Sequence, residues 1–156
     1  GLTVAWVGAG FVLAAGVQAV MLIPAGRRTD NSGRRGTLLI GTSTLAASML
    51  MLALDTGWPG LLLAMGVSGL ASAFLGSASG AVVGDVTRGR SGGRVVSAYQ
   101  MVGDLGGIIG PLAAGALADA LGYGWAFGAG AVVALVALGM VVVMPETLRR
   151  PSPEPA

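Results

Sequence analysis

The sequence predicts an all-α, polytopic membrane protein: five transmembrane helices forming a partial helical bundle. Three observations lead there. The 156 residues are 54% hydrophobic and only 10% charged, too few charges to clothe a water-soluble domain. All nine basic residues are arginines, gathered into three clusters. Between the clusters run apolar stretches of about 20 residues, long enough at 1.5 Å per residue to cross a hydrocarbon core of roughly 30 Å.

The spans follow in order. The first, Leu2–Ala25, ends at Gly26 and the pair Arg27, Arg28, and carries Gln18 as a weak polar candidate for a local packing contact. The second, Thr37–Leu54, follows Arg34 and Arg35 and runs into the loop Asp55–Gly60, which has no basic residue. The third, Leu61–Gly84, stops before Asp85, Arg88, Arg90 and Arg94. The fourth, Val95–Leu121, is glycine-rich and contains Pro111. The fifth, Trp125–Met144, follows the uncharged turn after Leu121 and precedes Arg149 and Arg150. In lipid each span must be a helix, because unpaired backbone N–H and C=O groups have no water to turn to. No segments of about ten residues alternate polar and apolar, as a transmembrane barrel would require. Residues 148–156 are Pro-rich and are expected to be a disordered tail.

With five spans, all three arginine clusters fall on one side, which the positive-inside rule makes cytoplasmic. The expectation is a multi-pass protein of the plasma (inner) membrane with its C-terminus in the cytoplasm. Trp58 and Trp125 fall at the opposite face, where amphipathic rings anchor. The absence of cysteine and histidine excludes disulfide frameworks, thiol chemistry and ordinary zinc sites. No nucleophile stands beside a base and no phosphate loop follows a strand, so no enzyme and no metal site is expected. The net charge is only +2 and the arginines flank spans, which points to the lipid bilayer and not to nucleic acid. The chain opens on Gly1 inside a span, as the later part of something longer would.

Two segments carry motifs. Gly26-Arg27-Arg28-Thr29-Asp30-Asn31-Ser32-Gly33-Arg34-Arg35 reads G-x-x-x-D-x-x-G-R-R. Gly26 would let the helix end pack closely, Gly33 permits a positive-φ turn, and Asp30 can face a helix N-terminus or pair with Arg34. In the fourth span, Gly103-Asp104-Leu105-Gly106-Gly107-Ile108-Ile109-Gly110-Pro111-Leu112-Ala113-Ala114-Gly115 sets small residues four apart, and Pro111 frees a carbonyl one turn back. The first segment resembles the loop signature of the major facilitator superfamily of twelve-helix secondary transporters. The second resembles its G-x-x-x-G-P-x-x-G-G element, with Ala114 in place of the penultimate glycine. Asp85 through Arg94 is similar to the family's acidic-then-basic loop, Gly122–Phe127 to its last turn, and Pro145-Glu146-Thr147 to the triplet closing a six-helix half. Asp104-Leu105-Gly106 before Gly110-Pro111, and the short Pro-rich tail, favour helices eight to twelve over two to six.

The resemblance implies a secondary transporter, of the proton-driven small-molecule exporter type, lacking its N-terminal helices. A non-transporting remnant or accessory membrane subunit is the other reading. No cofactor is implied beyond the proton as coupling ion. Gly26, Asp30, Gly33, Arg34, Arg35, Asp85 and Arg94 would serve conformational gating. Gly103, Gly106, Gly107, Gly110, Pro111 and Gly115 would serve helix packing and bending. Ser68, Ser72, Gly76 and Ser79 share one face of the third span, either a substrate-path wall or a packing stripe. Asp104 lies ten residues past Arg94, about 15 Å of rise, with Gln100 one turn earlier. It is either an intramembrane proton-coupling acid or an acid nearer the cytoplasmic end that locks two halves together.

Overall fold

A computed structural model describes residues 4–54, 57–87 and 92–146, and five helices account for nearly all of them. They are α1 (Val4–Ser32), α2 (Arg34–Ala53), α3 (Gly57–Thr87), α4 (Gly93–Leu121) and α5 (Tyr123–Val143). All five are long and apolar enough to cross a membrane, and no strand occurs among the described residues. The 29 residues of α1 rise about 44 Å, so its polar end clears the hydrocarbon by a few turns. Arg88, Arg90, Thr147, Arg149, Arg150 and the Pro-rich tail lie outside the described residues.

Helix extends further than the apolar spans. Residues 26–32 continue α1, and the whole connection to α2 is Gly33 alone. That residue has φ 100° and ψ 158°, a region open essentially only to glycine, so one residue turns the chain. Gly26 therefore stands inside a helix with open space where a Cβ would project; it is not a close-packing position.

The bundle is packed with small side chains. Among the described residues the buried apolar set is nine alanines and Leu38, while Phe11, Ile23, Ile108, Leu112 and Val143 point outward. A bilayer is as apolar as leucine, so helices gain by close backbone approach and not by hiding bulk. At Gly69 on α3, an added Cβ would lie 2.9 Å from Ala14 Cα of α1. Ser48, fully buried on α2, donates to the Ala64 carbonyl of α3 at 2.9 Å. Through such contacts α3 nests against both α1 and α2, and α2 packs on α5. α4 is held mainly by α5 and has no buried residue.

The arrangement contains an internal repeat. α1 and α4 each carry a proline in their C-terminal half, Pro24 and Pro111, two residues out of register when the glycines that follow the helices are aligned. Each ends at a single glycine, Gly33 (φ 100°, ψ 158°) and Gly122 (φ 96°, ψ 162°), followed by a helix of 20 or 21 residues. Four and nine residues past the glycine stand buried small residues: Thr37 and Thr42 in one unit, Ala126 and Ala131 in the other. Eight residues past it stand Gly41 and Gly130, against Leu75 and Met49. Successive spans alternate in direction, so the two units are inverted.

Both junction glycines should resist substitution. Gly33→Ala and Gly122→Ala each place a side chain in a glycine-only region, at a cost of about 1–3 kcal/mol. Gly33→Ala should cost more, because its Cβ would also come within 2.8 Å of Glu146 Cδ, whereas Gly122 faces open space. Thermal unfolding of the detergent-purified variants, compared side by side, checks the order.

Candidate functional site

The polar residues converge at the arginine-rich end of the bundle. Arg34 is the first residue of α2, and its side chain is only 10% exposed. Its Nε donates to Asp85 Oδ2 at 2.8 Å and its Nη2 to Asp85 Oδ1 at 3.4 Å, joining α2 to the last turn of α3. Its Nη1 donates to the Thr29 carbonyl at 3.2 Å, one of the four carbonyls that α1 leaves unpaired at its C-terminus. Arg35 reaches the other way and donates through Nη2 to the Val142 carbonyl at the end of α5. Its Nε is buried without a partner. Each arginine thus sets a cation on a helix C-terminus, where the helix dipole favours it.

Glu146 completes the arrangement. Its Oε1 accepts from the Arg34 backbone N–H at 2.9 Å and its Oε2 from that of Arg35 at 3.2 Å. These are the first two donors of α2, which no residue within that helix can satisfy. A carboxylate there is worth about 0.3–1 kcal/mol in exposed settings and up to about 2 when partly buried. The ends of α1, α2, α3 and α5 are therefore tied by two arginines, two acids and helix-terminal backbone groups.

The pairing differs from the one that spacing suggests. Asp30 neither pairs with Arg34 nor faces a helix N-terminus: Asp85 takes the first role and Glu146 the second. Asp30 sits on the last turns of α1, exposed, and makes no hydrogen bond or ion pair among the described residues. Helix continuing to Ser32 carries Asp30 past the site, whereas a loop could have folded it back. Arg94, in the first turn of α4, is exposed and likewise unpaired among the described residues. Glu146 and Thr29 were not singled out by composition or spacing. The available signal was an acid placed immediately after the last apolar span, within reach of an inner helix start.

The other candidates lie apart from this site. Ser72 and Gly76 are exposed on α3, and Ser68 and Ser79 are half-buried. Ser68 Oγ donates to the Met65 carbonyl at 2.8 Å and Ser72 Oγ to the Ser68 carbonyl at 2.9 Å, so both hydroxyls are satisfied by their own helix. A groove of about 440 Å³ between α1 and α3 is lined instead by residues including Leu13, Val17, Met21, Leu62 and Val67. At 3.6 residues per turn its α3 wall faces nearly opposite the serine face. Asp104 and Gln100 are exposed on α4 with no hydrogen bond among the described residues. Gly103, Gly106, Gly107, Gly110 and Gly115 have nothing within 4 Å of a built Cβ. α4 continues as one helix through Pro111.

The family model described as Major Facilitator Superfamily matches residues 1–156. The chain belongs to the major facilitator superfamily. An uncharacterized MFS-type transporter of Mycobacterium tuberculosis is 29% identical over 136 residues, covering 87% of this chain and 23% of the relative. This superfamily chain thus spans about a quarter of the length of that relative. No solved structure matches it significantly. Of the site described above, Thr29, Arg34, Arg35 and Glu146 lie in the segments that resemble the family's loop signature and closing triplet, and Asp85 opens the one that resembles its acidic-then-basic loop.

The Arg34–Asp85 pair should show strong energetic coupling. A double-mutant cycle with Arg34→Ala and Asp85→Ala is expected to give about 1–3 kcal/mol of interaction, since the partners touch and are largely buried. The parallel cycle of Arg34→Ala with Asp30→Ala should give none beyond about 0.5 kcal/mol. Denaturation of the purified chain in micelles provides both.

Proposed function

We propose that this chain is part of a secondary active transporter for a small molecule, of the proton-driven efflux type. It would supply the equivalents of helices eight to twelve. The observation that carries the reading is the charged knot of Arg34, Asp85 and Glu146 at one end of four helices. Alternating access moves one packed bundle against another as a near-rigid body. Such a bundle needs its helix ends fixed relative to one another, and this knot does so without a polar group in mid-membrane. No comparable ionic knot occurs at the opposite end among the described residues; there Trp6 stacks on Trp58 with ring centroids 4.6 Å apart.

The arginine-rich end would face the cytoplasm of a cell whose plasma membrane holds the protein, with exposed Arg27 and Arg28 among anionic headgroups. Asp30 is exposed beside them, open to a helix end from the remainder of the transporter. Asp104, exposed on α4 and without a cationic partner among the described residues, would serve as the proton-coupling acid. A carboxylate in hydrocarbon costs about 2.5–3.5 kcal/mol on insertion scales, a cost that hydration or protonation relieves. The serine face of α3 would border the path.

Orientation is tested by epitope tags. Tags after Ala156 and at Asn31 should be protected in intact cells, and a tag at Gly57 should be reached from outside. The reverse pattern would overturn the topology.

Coupling is tested in proteoliposomes of the full-length transporter. Asp104→Asn should abolish flux driven by an imposed pH gradient while substrate exchange persists. Normal gradient-driven flux in the variant would remove Asp104 from the coupling step, and loss of both activities would return it to packing. A full-length protein that moves no substrate at all would favour the non-transporting remnant.

A further inference from the structure

The spacing at the end of α1 is written a second time at the end of α4. Gly26, Asp30 and Gly33 stand as far apart as Gly115, Asp119 and Gly122, so both segments read G-x-x-x-D-x-x-G. The glycines that close them share one backbone conformation, with φ 100° at Gly33 and φ 96° at Gly122. Because α1 and α4 run in opposite directions, the copies lie at opposite ends of the bundle. They differ in charge. Arg27, Arg28, Arg34 and Arg35 of the first copy give way to Ala116, Leu117, Tyr123 and Gly124 in the second.

That difference leaves Asp119 uncompensated. It is exposed on the last turn of α4 and makes no hydrogen bond or ion pair among the described residues. A helix C-terminus carries partial negative charge, so an acid there is disfavoured. No arginine or lysine occurs between Arg35 and Arg88 or between Arg94 and Arg149, so neither connection at this end brings a cation. The last four carbonyls of a helix also lack partners within it. The Gly122 N–H takes that of Ala118, at 2.8 Å. The Asp119 carboxylate and the remaining carbonyls together make a composite acceptor. The other end of the bundle shows what such an acceptor holds: Arg34 spans the Asp85 carboxylate and the Thr29 carbonyl with one guanidinium.

We propose that Asp119 is a latch acid. When the transporter closes at the end away from the arginine clusters, Asp119 and the terminal carbonyls of α4 receive a basic side chain. That side chain comes from the part of the protein outside these 156 residues. When the same end opens, the pair separates and water solvates both partners. α4 has no buried residue, so nothing in this bundle blocks the approach. The chain spans 23% of its relative's length, which leaves ample sequence to supply the cation. The opening and closing rest on the transporter reading above; the unmet charge rests on the structure.

Hydrogen exchange read by mass spectrometry on the full-length transporter in proteoliposomes tests this. Asp119→Asn keeps the side-chain shape and removes the charge. Peptides spanning residues 116–124 should then exchange about two- to fivefold faster, the range that one exposed ion pair supports. Peptides spanning residues 28–36 should slow by a similar factor, because opening one end closes the other. Tyr123→Arg leaves Asp119 in place and puts an arginine at the start of α5, where α2 has Arg34, on a position 75% exposed. It supplies a cation from within the chain, displaces the external one and should give the same reciprocal shift. Tyr123→Phe should behave as wild type. Faster exchange confined to residues 116–124, or no change at either end, in either charge variant that reaches the membrane would overturn the proposal. Substrate flux by the wild type is measured in the same proteoliposomes. A reciprocal shift without flux would keep the latch and withdraw the transport reading; flux without a reciprocal shift would do the reverse.

Discussion

Hydrocarbon offers no hydrogen-bond partner, and most of what this chain does follows from that. Every backbone group inside the bilayer must be satisfied within its own segment, which leaves helix as the only choice for each apolar run. The same solvent removes the usual reason to bury bulk. Large side chains face lipid at no cost, and the helix contacts go to alanine, glycine, serine and threonine. Hydroxyls survive in that interior because they bond one turn back, as Thr29 does to Ala25 at 2.9 Å and Thr42 to Leu38 at 2.8 Å. Only Ser48 spends its hydroxyl on a neighbouring helix among the bonds described.

Where the helices leave the hydrocarbon, electrostatics becomes affordable. Helix termini present bare N–H and C=O groups there, and the chain supplies a charge of opposite sign to several of them. Arg34 and Arg35 serve the C-terminal carbonyls of α1 and α5, and Glu146 serves the N-terminus of α2. Because the same arginines also provide the backbone donors that Glu146 accepts from, a two-residue step ties three helices. Asp85 then adds the fourth. Exchanging Arg34 for lysine would keep the charge but lose the fork that reaches Asp85 and the Thr29 carbonyl at once.

The bundle is unequal despite its inverted repeat. α3 has two partners and α4 in effect one, although α1 and α4 each end at a single positive-φ glycine. The repeat also separates two kinds of glycine. Gly33 and Gly122 are required by backbone conformation, and Gly69 by the proximity of another backbone.

Much was readable from the residues alone. Span number and helical class depend on composition along one dimension, and hydrophobic length is a one-dimensional quantity. The positive-φ turn at Gly33 was legible for the same reason, since a local backbone demand shows in a local residue. Partnership was not. Arg34 lies four residues from Asp30 and 51 from Asp85, yet it pairs with the distant acid, because α1 stays helical to Ser32 and α3 ends beside α2. Glu146 reaches Arg34 across 112 residues. Trp6, unremarkable in sequence, stacks on Trp58 only because α1 and α3 run side by side. The serines of α3 share a face in any helix, but their sequence could not place that face away from the groove that α1 and α3 enclose. Hydropathy decides that a segment enters the membrane. Which residue meets which is decided by close approach between helices, a property of pairs of surfaces that no single segment contains.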